Sequence, residues 1–348
     1  MSELDQYDYD LPRELIAQHP TAHRADARLM VVHRRTGKIE HQYVRDLPAL
    51  LRAGDCLVLN DTKVIPARLV GRRTTTGGRW EGLFLAADEN DAWKILSKSR
   101  GKIQPGETVT LTDVNGRDDV ELMMIERLDG GQWLARPRPA EPTLALLERV
   151  GRVPLPHYIR DGEMVAEDRE RYQTVYACYR GSVAAPTAGL HFTEELFEQL
   201  NAKDVEVVRV TLHVGLDTFR PVTADRLEDH QMHSEWARID ESAANIVRRC
   251  RDAGGRCVAV GTTTVRVLET AARDGEFGPW CGTTDLFIRP PFTFRATDGL
   301  MSNFHLPRTT LLVLVCCFGG HELIMQAYRE AIRESYRFYS YGDAMLIV

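Results

Sequence analysis

The chain has 348 residues, 43% of them hydrophobic and 27% charged, with 44 Lys and Arg against 50 Asp and Glu for a net charge of −6. That composition is ordinary for a globular protein, and the length allows two domains and a core that needs neither disulfides nor metals. It excludes a globally basic nucleic-acid coat, though not a local basic patch.

The first ten residues are acidic and lack an apolar core, which argues against a secretory signal. Asp10-Leu11-Pro12-Arg13-Glu14 reads as an N-cap with proline inside the first helical turn. Apolar runs at 28–33 and 38–44 flank Thr36-Gly37 and predict a hairpin. Residues 47–51 read as a short helix and 56–60 as a buried strand. From about 62 to 150 the texture changes. Short β-rich segments at 67–70, 80–86, 93–96, 108–111, 120–125 and 133–135 alternate with the turn signals Gly77-Gly78, Pro105-Gly106, Asn115-Gly116 and Gly130-Gly131. Six such segments predict a small antiparallel barrel.

After Pro154-Leu155-Pro156 the helical period returns. Thr193 is placed to cap a helix running to Leu200. A strand is expected at 205–214, an amphipathic helix at 241–253, a core strand at 256–260 and a helix at 265–273. The apolar run 311–318 reads as a buried strand, and 322–338 as a long helix. That run is far short of the ~20 residues that span a bilayer, and no membrane association is expected. The expected fold class is α/β, a mixed sheet with helices on both faces, interrupted by an inserted small antiparallel β-barrel. The expected division gives 1–61 and 151–348 to a discontinuous catalytic domain and 62–150 to the barrel. Seven cysteines, none in a C-x-x-C pair, read as reduced thiols of a cytoplasmic protein.

Four segments carry candidate chemistry. Gly181 to Thr193 is made of small residues around one imidazole, His191, and leads into a helix start, so it can approach a ligand closely and offer a proton acceptor; Gly189 lies within it. Gly261-Thr262-Thr263-Thr264 follows a core strand, where open α/β sheets bind ligands, but it lacks the spacing of a P-loop. His230-Gln231-Met232-His233-Ser234-Glu235 suggests either a metal site without an obvious further ligand or a polar cleft lining with Glu235 as the carboxylate. Asn60-Asp61-Thr62-Lys63 closes a buried strand, and Arg68, Arg72, Arg73, Arg79, Lys94, Lys98, Arg100 and Lys102 form a basic cluster able to neutralise phosphates. His213 and His305 stand in Thr211-Leu212-His213-Val214-Gly215 and Asn303-Phe304-His305-Leu306-Pro307; each alone is more often a core histidine than a catalyst.

Read together, these segments resemble a known family. Tyr9-Asp10-Leu11-Pro12, Leu57 through Arg68, Glu170-Arg171-Tyr172-Gln173-Thr174-Val175-Tyr176, Ala184 through Thr193, Thr211 through Gly215, Gly261-Thr262-Thr263, Ser302 through Pro307 and Ser340-Tyr341-Gly342-Asp343-Ala344-Met345 match, in order, the S-adenosylmethionine:tRNA ribosyltransferase-isomerases of queuosine biosynthesis. The resemblance runs nearly end to end and is weakest between about Arg72 and Arg149. It implies a cytoplasmic, monomeric enzyme without metal or redox cofactor, in which S-adenosylmethionine is the ribosyl donor. The acceptor it implies is the aminomethyl group of a 7-deazaguanine at the tRNA wobble position, and the products are epoxyqueuosine-tRNA, adenine and methionine.

That chemistry asks for a base beside the sulfonium, an acid for adenine, and an acceptor for the amine proton. His191, Glu235, His213, His305 and Asp61 are the candidates, with His191 or Glu235 expected as the base. Gly189, Gly261, Thr262, Thr263 and Asn303 are expected to bind the donor, and Lys63, Arg68, Lys98 and Lys102 the RNA phosphates. Three features depart from the family pattern: Arg289-Pro290-Pro291-Phe292 stands where tyrosines are usual, Asp217 replaces a glycine near His213, and Cys316-Cys317 replaces small or hydroxyl residues. Two rival readings are a metal-dependent hydrolase around His230, His233 and Glu235, and a tRNA-binding paralogue without catalysis.

Overall fold

The computed structural model describes residues 2–215, 226–273 and 275–348. The chain divides into two compact units: one comprises Met1–Lys63, His157–Asp161 and Glu170–Val348, the other Val64–Pro156 and Gly162–Arg169. The second unit therefore holds 151–156 and 162–169, which the sequence division gave to the α/β domain. The reason is local: Arg68 and Arg152 exchange backbone hydrogen bonds at 3.0 and 2.8 Å, and the Arg68 guanidinium binds the Gly162 carbonyl and Glu163.

The first unit is built on a nine-stranded mixed sheet. From edge to edge its strands are Trp280–Thr284, Glu235–Ile239, Glu206–Leu212, Cys56–Asn60, Cys257–Val260, Gly299–Asn303, Ala344–Ile347, Arg28–Val32 and Ile39–Tyr43. The four strands from Glu206–Leu212 to Gly299–Asn303 are mutually parallel, with Val58 opposite both Val208 and Ala259. Antiparallel pairing takes over on both sides, except that Ala344–Ile347 and Arg28–Val32 are parallel to each other, and one edge ends in the hairpin around Thr36-Gly37. Strand periodicity sorts the core into two layers. Cys56, Val58, Cys257, Ala259 and Leu300 face the helices Glu241–Asp252, Thr262–Ala271, Thr310–Gly319 and His321–Arg333. Leu57, Leu59, Val258, Val260 and Met301 face Leu47–Leu50, Glu194–Asn201 and the turn Thr187–His191.

The second unit contains a closed six-stranded antiparallel barrel. Around its wall run Gln132–Arg138, Trp93–Ser99, Arg79–Ala87, Arg68–Arg73, Thr108–Thr112 and Asp118–Arg127. Trp80, Trp93, Leu69, Ile95, Val109 and Leu122 are fully buried. Gly71 is required for closure, because a Cβ there would stand 2.3 Å from the Thr110 carbonyl oxygen.

Several expected elements are corrected. Residues 311–318 are not a strand but part of the helix Thr310–Gly319, capped by the Thr309 hydroxyl on the Leu312 N–H. It is apolar nearly all round because both its sides are buried, and such a run carries no period that separates helix from strand. Asp10 caps no helix; only the short 3-10 turn Arg13–Leu15 follows Pro12. The helix expected from 265 starts at Thr262, since Gly261 (φ +87°) turns the chain directly out of the strand. The last helix ends at Arg333 rather than 338. Thr193 caps its helix as expected, accepting the Leu196 N–H. No single helix among the described residues is long and apolar enough to cross a membrane.

One buried ion pair ties the starts of the two central strands. Asp55, 2% exposed, accepts the N–H groups of Arg52 and Arg256 at 2.8 and 2.9 Å and the Arg256 guanidinium at 2.6 Å. Burial pushes its pKa up, but the Arg256 guanidinium and the two N–H donors outweigh burial and hold the carboxyl below its usual range. A depressed folded pKa makes this stabilisation complete above about pH 4, the unfolded range, and lost as pH falls through the folded value. Asp55→Asn should lower the unfolding free energy near neutral pH by about 2–3 kcal/mol in urea titrations; a change below about 0.5 kcal/mol would show that the pair holds nothing.

Candidate functional site

The four parallel strands end along one line, and the segments that leave them form the walls of a cleft in the α/β unit. Val214 follows Glu206–Leu212, Gly261-Thr262-Thr263 follow Cys257–Val260, and Ser302 to Leu306 close and follow Gly299–Asn303. Ala185 to Ala188, Tyr158, Tyr339 and Ser340 complete the walls.

Asn60 organises one end. Fully buried at the tip of its strand, it uses its whole amide: Oδ1 accepts the N–H groups of Leu212 (3.0 Å) and Thr62 (3.1 Å). Its Nδ2 donates to the Leu212 carbonyl (3.0 Å) and the Thr263 hydroxyl (3.2 Å). This fixes the start of the ten-residue helix Thr262–Ala271 against two strand ends. No side chain caps that helix, so the N–H groups of its first turn present partial positive charge to the cleft.

Asn303 forms the opposite wall. Its Oδ1 accepts the Thr187 hydroxyl at 2.8 Å, and its Nδ2 lies 3.3 Å from His191 Nε2 and 3.4 Å from the Asp343 carbonyl. His191 is thus placed behind Asn303 and not on the cleft surface. Burial, with the nearby Arg24 and Arg337 charges, pushes it down to about 4, so it is neutral at pH 7. His305 lies on the cleft wall itself, with Nε2 2.7 Å from the Ser302 hydroxyl. The Tyr328 hydroxyl accepts its backbone N–H and Tyr9 donates to its carbonyl. Burial pushes His305 down to about 3, which also keeps it neutral.

The other expected residues lie elsewhere. His213 sits next to Val214, with Nδ1 2.8 Å from the Thr62 hydroxyl and its ring on Trp236; desolvation lowers its pKa. Asp61 accepts the Thr211 hydroxyl at 2.7 Å, and burial raises its pKa. Glu235 is not free for base chemistry. Oε2 is paired with Arg266 and Oε1 accepts the Gly215 N–H at 2.7 Å, with both charged side chains 7% exposed. Arg266 also donates to the Leu286 and Thr284 carbonyls at 3.1 Å, so the pair braces the helix Thr262–Ala271.

Gly189 has a packing reason to be glycine: a Cβ would stand 2.0 Å from the Tyr176 hydroxyl. Lys98 and Lys102 are exposed on the second unit and Lys63 is half-buried. Arg68 is occupied by Gly162, Glu163 and Glu81. Phe292 of the Arg289-Pro290-Pro291-Phe292 departure packs on Phe294, and Asp217 lies outside the described residues. His230 packs edge-on against Phe287, and among the described residues no three His, Cys, Asp or Glu side chains gather to hold a metal ion.

Sequence reasoning missed Thr187, Tyr158, Tyr339 and Ser340 as cleft residues. Ser340 begins the Ser340-Tyr341-Gly342-Asp343 motif, a signal that was present. Tyr339 is reached through a positive φ of +70°, which no local pattern announces.

Comparison with known proteins finds relatives along the whole chain. A family model described as "Queuosine biosynthesis protein" matches residues 4–347. A relative from Symbiobacterium thermophilum, named S-adenosylmethionine:tRNA ribosyltransferase-isomerase, is 51% identical over 99% of both chains. One of the same name from Caldanaerobacter subterraneus subsp. tengcongensis is 47% identical over 98% of both. The crystal structure of S-adenosylmethionine tRNA ribosyltransferase from Thermotoga maritima superposes with a TM-score of 0.57 at 38% identity, covering 99% of this chain and 100% of that one.

The Glu235–Arg266 pair predicts a stability effect before a catalytic one. Glu235→Gln leaves a buried guanidinium without its counter-charge, which costs about 3–5 kcal/mol and should lower the thermal unfolding midpoint by several degrees. Unchanged stability with lost activity would instead make Glu235 a chemical participant.

Proposed function

The chain belongs to the queuosine biosynthesis protein family, and on that footing we propose that it moves the ribosyl group of S-adenosylmethionine to 7-aminomethyl-7-deazaguanine at the tRNA wobble position. It is a transferase of the ribosyltransferase-isomerase type. The products are epoxyqueuosine-tRNA, adenine and methionine, formed in the cytoplasm, where tRNA is available. The observation that carries the reading is the cleft at the C-terminal ends of four parallel strands, with a helix N-terminus at one end and a neutral histidine on its wall.

The donor is zwitterionic at its methionine end and cationic at sulfur. The uncapped N–H groups of Thr262 and Thr263 suit the carboxylate, and the Thr263 hydroxyl held by Asn60 borders the same spot. The sulfonium acidifies the adjacent ribose C5′ hydrogens, and loss of one of these protons starts the rearrangement. The base must be unprotonated when the donor arrives. His305 meets that condition on the cleft wall, and we assign it the proton transfer. His191, set behind Asn303, orients that amide. Asn303 and Thr187 face the ribose hydroxyls. The acceptor amine must lose a proton as its C–N bond to the ribosyl unit forms, adenine must gain one as its bond to C1′ breaks, and methionine leaves with the C5′–S electron pair, so one proton is released overall and no outside oxidant or reductant is needed. Lys98 and Lys102, the exposed cations among the expected phosphate ligands, contact the RNA backbone, and Arg68 serves its own unit.

The test is incubation of purified protein with S-adenosylmethionine and an anticodon stem-loop bearing 7-aminomethyl-7-deazaguanine. Free adenine and methionine should appear only with the modified RNA, together with the epoxyqueuosine nucleoside mass. Bound RNA without adenine release would leave a tRNA-binding paralogue and refute the enzymatic reading. His305→Asn should reduce kcat by about 100-fold or more with donor affinity within a few-fold of the parent. Because its folded pKa is about 3, His305 should contribute no acid limb to kcat/KM between pH 5 and 8.

A further inference from the structure

Among the described residues, one face of the sheet is left bare at its edge. In Glu235–Ile239 the residues Glu235, Ala237 and Ile239 are buried while Trp236 and Arg238 point the other way and are exposed. Thr283 and Cys281 lie directly opposite Trp236 and Arg238 on the next strand, and both are exposed. A tryptophan in this position is unusual, because a 39% exposed indole leaves a large apolar surface in water.

This indole is also held in place. The Trp236 carbonyl accepts the His213 N–H at 3.0 Å, and the two rings stack at 5.1 Å with an interplanar angle of 21°. Beyond the imidazole lies Gly181, where a Cβ would stand 2.9 Å from the ring, so only glycine lets the strand Tyr179–Ser182 lie flat on it. The Thr62 hydroxyl fixes the imidazole edge. Tyr179, two residues before Gly181 and therefore on the same side of its strand, is 50% exposed. Arg238 makes no ion pair among the described residues, and the exposed Arg209 lies one strand away. The residue after His213 is Val214, which lines the cleft.

We propose that Trp236, backed by His213 and flanked by Arg238, is a stacking platform for an unpaired base of the RNA loop beside the base being modified. The inference rests on the functional reading above and adds where the RNA is gripped. A base that enters the cleft must leave its stack, and its neighbour then loses a stacking partner. A rigid exposed indole next to the cleft replaces that partner at little conformational cost, and the guanidinium neutralises the neighbouring phosphate.

The experiment measures binding of a labelled anticodon stem-loop and of S-adenosylmethionine separately. Trp236→Ala should weaken stem-loop binding by about tenfold or more and leave donor affinity within twofold, whereas Trp236→Phe, which keeps an aromatic face, should stay within about threefold of the parent. Thr283→Glu places a negative charge on the same exposed face without touching the His213 stack, and should also weaken stem-loop binding by about tenfold at low salt. It keeps the proposal testable if Trp236→Ala does not fold. Parent-like stem-loop affinity in Trp236→Ala, or in Thr283→Glu where that is the variant that folds, overturns the platform. Failure of the parent protein itself to bind the stem-loop overturns the functional reading and this placement with it.

Discussion

The four hydrogen bonds of the Asn60 amide are the constraint from which the site follows. A buried amide left partly unsatisfied costs about 1–3 kcal/mol per group, so Asn60 is tolerated at the sheet centre only because Leu212, Thr62 and Thr263 meet it from three directions. Those partners belong to a second strand, the segment leaving the first, and the helix Thr262–Ala271. One side chain therefore sets the spacing of the elements that bound the cleft. The Glu235–Arg266 pair braces the same helix from its other side, so its N-terminus is held by a neutral network in front and an ionic one behind.

The cleft wall is mostly apolar and carries little formal charge. His305 is neutral, and so is His191 behind the wall; the remaining polar groups are amides and hydroxyls. Such a site suits a ligand that brings its own charges. The carboxylate and sulfonium of S-adenosylmethionine would meet oriented dipoles, with no counter-ion to displace, and dipoles in a water-poor site need little reorganisation as charge moves. Lys98 and Lys102 are exposed on the other unit.

Much of this was legible in the chain. The barrel announced itself through six β-rich segments with glycine turns, and the helix at Thr193 through its cap and acidic first turn. Asn60-Asp61-Thr62 and Gly261-Thr262-Thr263 both proved to stand at strand ends. What failed has physical causes. Residues 311–318 carry no amphipathic period because both sides of that helix are buried. Glu235 looked like a free carboxylate because its partner, Arg266, is 31 residues away. The strands Gly299–Asn303 and Ala344–Ile347 went unnoticed because each is short and buried on both faces, so neither alternates. Tyr158 and Tyr339 join the cleft only through long-range packing.

The central claim is that the helix start held by Asn60 seats the carboxylate of the donor. A crystal structure of the protein with S-adenosylmethionine bound tests it directly. The account predicts the methionine carboxylate at about 3 Å from the N–H groups of Thr262 or Thr263, with the ribose facing Asn303 and His305. A donor bound with adenine at that helix start, or outside the cleft, would contradict it.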